Sequence, residues 1–326
     1  MARYARIQTI RHPIGTTGRF DLKVTSADVR VRAVDGADVH LRATFEIRAQ
    51  TEQEADEIYQ RVQLVADTGT GRIAVQEPDG PPSLRGWIDR VMGGRGSVSL
   101  SVEVEVPRSA EVRLETVSGD LTVEELEAAQ RYTTVSGDLY VTAGGGSLRV
   151  TTVSGDVTVR GERPISLRAE SVSGDLSVAV PRIEDLRTQS VSGDVEIEGE
   201  LAPTGEFRSE TVSGDVTIGL LGGATFEVRG ISTDISSDLD HRIEGRLDRR
   251  KVTIGDGRPT YLFNSMSGDL GIRAPRRVKP MPPTRQPAAT PAHRLGDEEQ
   301  LAVLQELERG EIDVDEATHR LDGGDA

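Results

Sequence analysis

The chain has 326 residues, no cysteine, 3% aromatic residues and a formal net charge of −15. The missing cysteine excludes disulfides, thiolate metal sites and a cysteine nucleophile. The acidic balance disfavours nucleic acid and anionic lipid as broad-surface partners, and the scarcity of aromatics suits a thin aliphatic core.

The segment Met1 to Thr9 lacks the apolar stretch of a signal peptide, and no run of about 18 apolar residues follows, so cytoplasmic residence is the default expectation. Residues 20–31 alternate as a strand does: Phe20 and Leu22, then Ser26-Ala27-Asp28, then Val29 and Val31. Thr51 with Glu54 is a capping-box pair and predicts a helix near 52–66, with Ala55, Ile58, Val62 and Val65 on one stripe. A second helical insertion is expected near 83–92, where Leu84, Trp87, Ile88, Val91 and Met92 share a face between Pro81-Pro82 and Gly93-Gly94. Covering an open sheet end is its simplest role. The alternative is docking to a partner or a membrane surface, and Trp87, the sole tryptophan, makes this the one segment suited to membrane contact.

From residue 118 a tripeptide takes over. Ser-Gly-Asp begins at Ser118, Ser136, Ser154, Ser173, Ser192, Ser213 and Ser267, with Ser-Thr-Asp at Ser232; successive steps are 18, 18, 19, 19, 21, 19 and 35 residues. Such a period predicts an all-β parallel solenoid, or β-helix, of ~19-residue coils over residues 1–274, each coil stacked on the last. Ser26-Ala27-Asp28 fits the same template, so the solenoid is expected to begin near residue 18. With the serine as position 0, the columns at −1 (Val117, Val135, Val153, Val172), +3 (Leu121, Leu139, Val157, Leu176) and +5 (Val123, Val141, Val159, Val178) read as core. Positions −6, −4 and the Thr/Ser column at −2 have the opposite parity, so a bend is expected between −2 and −1. The glycine at +1 either supplies a backbone conformation closed to other residues or makes room where coils approach.

Position 0 and position +2 are expected to face outward. Stacking would align Ser118, Ser136, Ser154, Ser173, Ser192 and Ser213 in one row and Asp120, Asp138, Asp156, Asp175, Asp194 and Asp215 in another, continued by Asp234 and Asp269. Carboxylates one coil apart repel by about 1 kcal/mol in water and about four times that at a protein-surface dielectric. Solvation, main-chain N–H donors, raised pKa values or bound cations must offset this. The simplest reading is local capping of the backbone; a partner or cation face is the sharper one. No cofactor, metal site or small-molecule substrate is expected.

Ile254-Gly-Asp-Gly257 reads as a hairpin turn. The five histidines, His12, His40, His241, His293 and His319, show neither metal-ligand spacing nor a triad pattern, and Ser-Gly-Asp is not a nucleophile elbow. Residues 275–296 form a Pro-rich basic linker. The tail 297–326 holds eleven acids against Arg309 and Arg320, and Leu301, Leu304 and Leu307, the break at Gly310 and the Asp313/Glu316 cap predict an αα-hairpin over 297–322.

The Val-Ser-Gly-Asp-(Leu/Val)-x-Val repeats over about 18–273 resemble a bacterial "putative adhesin" family, which implies a parallel β-solenoid and carries over no catalytic residue. The stretch Leu304-Gln-Glu-Leu-Glu-Arg-Gly-Glu-Ile-Asp-Val-Asp-Glu-Ala317 is similar to the SHOCT-like helical hairpin. Some relatives look like cell-envelope stress proteins. Residues and resemblance together point to a non-enzymatic binding or scaffold protein, with a protein partner or self-association. Filament formation through the solenoid ends and a polysaccharide-acting β-helix enzyme are the alternatives.

Overall fold

A computed structural model describes residues 2–78, 98–246 and 249–275, all within one compact unit, Met1–Arg277. The expected linker and αα-hairpin, and the second helical insertion with Leu84, Trp87, Ile88 and Val91, lie outside the described residues.

The chain is nearly all β and winds through two parallel ladders that face each other across an aliphatic core. One ladder is built from the strand before each motif, the other from the strand after it. In the upstream ladder Glu111–Glu115 pairs with Gln130–Thr134, which pairs with Gly146–Thr152, then Ile165–Ser171. In the downstream ladder Leu121–Glu124, Leu139–Ala143 and Val157–Gly161 follow one another in register, Leu121 beside Leu139 beside Val157. The 17-residue strand Leu176–Ser192 serves both: its first half closes one coil downstream and its second half opens the next upstream. Interior positions are filled by Val112, Leu114, Leu121, Val123, Leu139 and Val159, each at most 2% exposed. β-branched and leucine side chains suit such stacked parallel strands, and each fully buried one contributes roughly 1.5–3 kcal/mol.

Stacking does not follow chain order at either end. Ala27–Val34 pairs with both Val98–Pro107 and Leu121–Glu124, so the Ser26 coil lies directly on the Ser118 coil although 92 residues separate them. At the far end Phe207–Ser213 pairs with Thr260–Ser265, and Thr260–Ser265 then pairs with Ala224–Gly230. The Ser267 coil is thus inserted between the Ser213 and Ser232 coils. That placement accounts for the 35-residue step: the chain skips one rung, makes a detour, and returns to fill it.

Antiparallel strands finish both ends. Val65–Gly69 folds back on Arg72–Gln76, while Asp38–Ala49 and Ala2–Pro13 extend the downstream sheet. Arg249–Ile254 and His241–Arg246 cover the Ala224–Gly230 strand. Ile254–Gly257 is not a hairpin turn, since Arg249–Ile254 and Thr260–Ser265 flank Ala224–Gly230 on opposite sides. The first insertion is helical over Glu52–Val62; the N-cap Thr51 accepts from the Glu54 N–H at 3.2 Å, and Glu54 reaches back one residue past the cap to accept from the Gln50 N–H at 2.8 Å, a variant of the expected capping box. Ala55 is buried and Phe45 meets Tyr59 edge-on at 5.4 Å. Val65 belongs instead to the next strand and is exposed, so the helix stops short of the predicted residue 66. Among the described residues no helix is long and apolar enough to cross a membrane.

Candidate functional site

Each motif copy is the corner where the chain passes from the upstream to the downstream ladder. The −2 hydroxyl is turned inward and needs an acceptor: Thr116 and Thr134 donate to the carbonyls of Ser118 and Ser136 at 3.1 Å, and Thr211 to that of Gly214 at 3.0 Å. The valine at −1 is turned outward. Val135, Val153, Val172 and Val191 are 43–47% exposed, which corrects the expectation that this column belongs to the core. Parity changes across Ser-Gly-Asp itself, not before the valine. The glycine makes this possible: Gly119, Gly137, Gly155, Gly174 and Gly193 take φ of +110° to +121°, closed to residues with a side chain. A Cβ at Gly137, Gly155, Gly174 or Gly193 would also sit 2.2–2.4 Å from the preceding glycine's carbonyl oxygen. Both sequence readings of this glycine hold together.

The aspartates form one continuous row. The Asp138 N–H donates to Asp120 Oδ1 at 2.9 Å, and the same bond runs through Asp156, Asp175, Asp194 and Asp215 at 2.8–2.9 Å. Asp28 receives the Asp120 N–H at one end; Asp269 and then Asp234 continue the row at the other. Each carboxylate before the terminal Asp234 thereby takes a main-chain donor from the next coil, a charge-assisted bond that offsets repulsion along the row. The serine N–H groups bond the −1 carbonyl one coil back, as Ser154 does with Val135 at 2.8 Å. The field of Asp138 raises the phenol of neighbouring Tyr140, whose hydroxyl donates to Asp138 Oδ2 at 3.4 Å, and Asp120 and Asp156 add to the effect. Among the described residues no three His, Cys, Asp or Glu side chains gather as a metal-holding group. His12 and His241 bond the main-chain carbonyls of Gly69 and Leu239, His40 is exposed, and His293 and His319 lie outside the described residues.

Sequence reasoning missed a second row. At position −5, on the outer face of the upstream ladder, Arg113, Arg131, Arg149, Arg168, Arg187 and Arg208 are direct neighbours in register. They line an open groove of about 960 Å³. Three are engaged by the acid two residues on: Arg113 with Glu115 at 2.7 Å, Arg168 with Glu170 at 2.9 Å, and Arg208 with Glu210 at 2.8 Å. Lys23 holds Glu115 below the usual carboxylate range, and Gln189 with Arg208 does the same for Glu210. Arg131, Arg149 and Arg187 are exposed, and have no ion pair among the described residues. The signal was present as an arginine column. The net charge of −15 obscured it, because a total says nothing of where charges gather.

The arrangement defines a class: a parallel, two-ladder coil stack whose repeated corner faces solvent. The Toastrack DUF4097 family matches residues 88–189. Among solved structures, a "putative lipid binding protein" from Parabacteroides distasonis is similar at 12% identity, covering 83% of this chain and 97% of that one with a TM-score of 0.41. A "putative adhesin" from Bacteroides fragilis is similar at 10% identity, covering 82% and 97% with a TM-score of 0.36. A "putative cell adhesion protein" from Clostridium sporogenes is similar at 9% identity, covering 83% and 100% with a TM-score of 0.22. Among curated proteins, none matches the sequence.

Proposed function

We propose that this is a non-enzymatic, adhesin-like binding or scaffold protein whose contact surface is the motif corner. One observation carries the reading: every regular coil leaves a valine in solvent beside a serine and an aspartate that are exposed in most copies and half-exposed at Ser118 and Asp138, aligned along the stack. Burying Val153 or its equivalents against a partner would take nothing from the fold, whereas Leu139 and Val159 show where the core is. An aliphatic line with a polar, hydrogen-bonding line beside it suits a partner that lies along the stack, either another protein at the cell envelope or a second copy of this chain. The aspartates, already bonded to main-chain N–H groups, serve better as fixed acceptors than as a general acid and base.

Head-to-tail filament growth is the weaker reading, because antiparallel strands finish three of the four ladder ends, the downstream ladder alone ending in the short parallel strand Ile235–Ser237. The test is co-purification from the native cells with Val153→Ser and Val172→Ser combined. Recovery of the partner should fall severalfold, while Thr158→Ala on the downstream face leaves it unchanged. Equal recovery with both variants contradicts the assignment.

A further inference from the structure

The sheet face beside the valine ridge points to the ridge's partner, provided that the ridge is the contact surface proposed above. We propose that this partner is a second copy of the chain, the valine ridge of each copy lying in the upstream groove of the other. Four outward rows run side by side across the upstream face, at positions −7, −5, −3 and −1, because all four share one strand parity. Row −1 is the valine ridge and row −5 the arginines. Row −7 is small in three successive coils, where Ala129, Ser147 and Ser166 line the open groove. A ridge and a groove therefore run parallel on one face.

Charge favours the same pairing. At a net −15, two copies repel through most of their surface. The upstream face is the exception, since its six arginines stand among six carboxylates, Glu111, Glu115, Glu170, Asp185, Glu206 and Glu210. A two-fold axis running along the stack between rows −5 and −3 makes this face complementary to itself. It sets Val135, Val153 and Val172 over the partner's Ala129, the partner's Ser147 and the partner's Ser166, rung on rung. Row −5 then lies over the partner's row −3. Arg131, Arg149 and Arg187, which have no ion pair among the described residues, come one rung, ~4.8 Å, from the partner's Glu115, the partner's Glu170 and the partner's Glu210. Six rungs at ~4.8 Å and four rows at ~6.7 Å span about 770 Å², close to the ~800 Å² per partner of a stable interface.

The test is sedimentation of the full-length protein at rising concentration, with introduced cysteines to fix the geometry. The protein should dimerise, and Val153→Ser with Val172→Ser should weaken the dimer roughly tenfold or more, since each lost apolar contact counts in both copies. That variant should melt as the parent does. There is no native cysteine, so Ser147→Cys combined with Val153→Cys should give a disulfide-linked dimer. The two positions stand ~20 Å apart along one extended segment, beyond disulfide reach within a chain. Each single cysteine should stay unlinked, because equivalent rows of the two copies also lie ~20 Å apart. A protein that stays monomeric at every concentration overturns the proposal, as does linkage through Val153→Cys alone. Co-purification tells that failure from failure of the ridge itself. If the valine variant of a monomeric protein still loses its partner, the ridge contacts a different protein; if it loses nothing, the ridge is not the contact surface.

Discussion

At the residue scale, position −1 separates a folding requirement from a surface feature. Valine there looks like core from its chemistry and its regularity, yet it stands in solvent while the threonine before it is buried. Val153→Ser should therefore change stability by no more than about 0.5 kcal/mol, whereas Leu139→Ala should cost about 2–5 kcal/mol in urea unfolding. Comparable losses would restore the sequence-based parity. The aspartate row predicts an alkaline effect. Tyr140 has its phenol raised by Asp138, so the stability it contributes is full below the unfolded-state value near 10 and is lost as pH rises through the higher folded value. NMR titration of Tyr140 should show its pKa drop toward the ordinary value in Asp138→Asn. The asparagine oxygen can still accept the Asp156 N–H, so the row itself survives.

At the scale of the element, each coil is two short strands joined by a corner that no coil could hold alone. The bonds at Asp, Ser and +3 all run to neighbouring coils: the Leu139 N–H donates to the Asp156 carbonyl at 2.9 Å, and the Ser136 N–H to the Val117 carbonyl at 2.9 Å. This is why coil order can depart from chain order, since any copy of the template satisfies the next. The Ser267 N–H reaches the Val212 carbonyl at 3.0 Å, and the Ser232 N–H reaches that of Met266 at 3.1 Å. With no native cysteine, the order is testable by paired substitution. Ser213→Cys with Ser267→Cys should oxidise readily, since adjacent rungs lie within disulfide reach, while Ser213→Cys with Ser232→Cys, two rungs apart at ~9.6 Å, should stay reduced. The reverse result would place the Ser232 coil directly on Ser213.

For the whole molecule, the β architecture, the template copy at Ser26–Asp28 and the stacked aspartates are all legible in the repeat, because period-2 alternation and an in-register row follow from strand geometry alone. The capping box at Thr51 is equally local and equally legible. What the sequence hides is non-local. Nothing within Ser267–Asp269 says which rung it fills, and the side on which Val153 faces depends on a glycine conformation that spans the corner. The arginine column is in plain view but averages away in the total charge. The result is a stack with two regular surfaces, an aliphatic and acidic ridge at the corner and, on the upstream face, a row of arginines interleaved with carboxylates.

Whether the corner ridge is the contact surface is most directly tested by photo-crosslinking in the native cells, with a photoreactive residue at position 153 and, separately, at position 158. A ridge that carries the contact gives a discrete crosslinked product from 153, either a partner or a second copy, and none from 158. Equal products from both positions, or none from 153, would refute it.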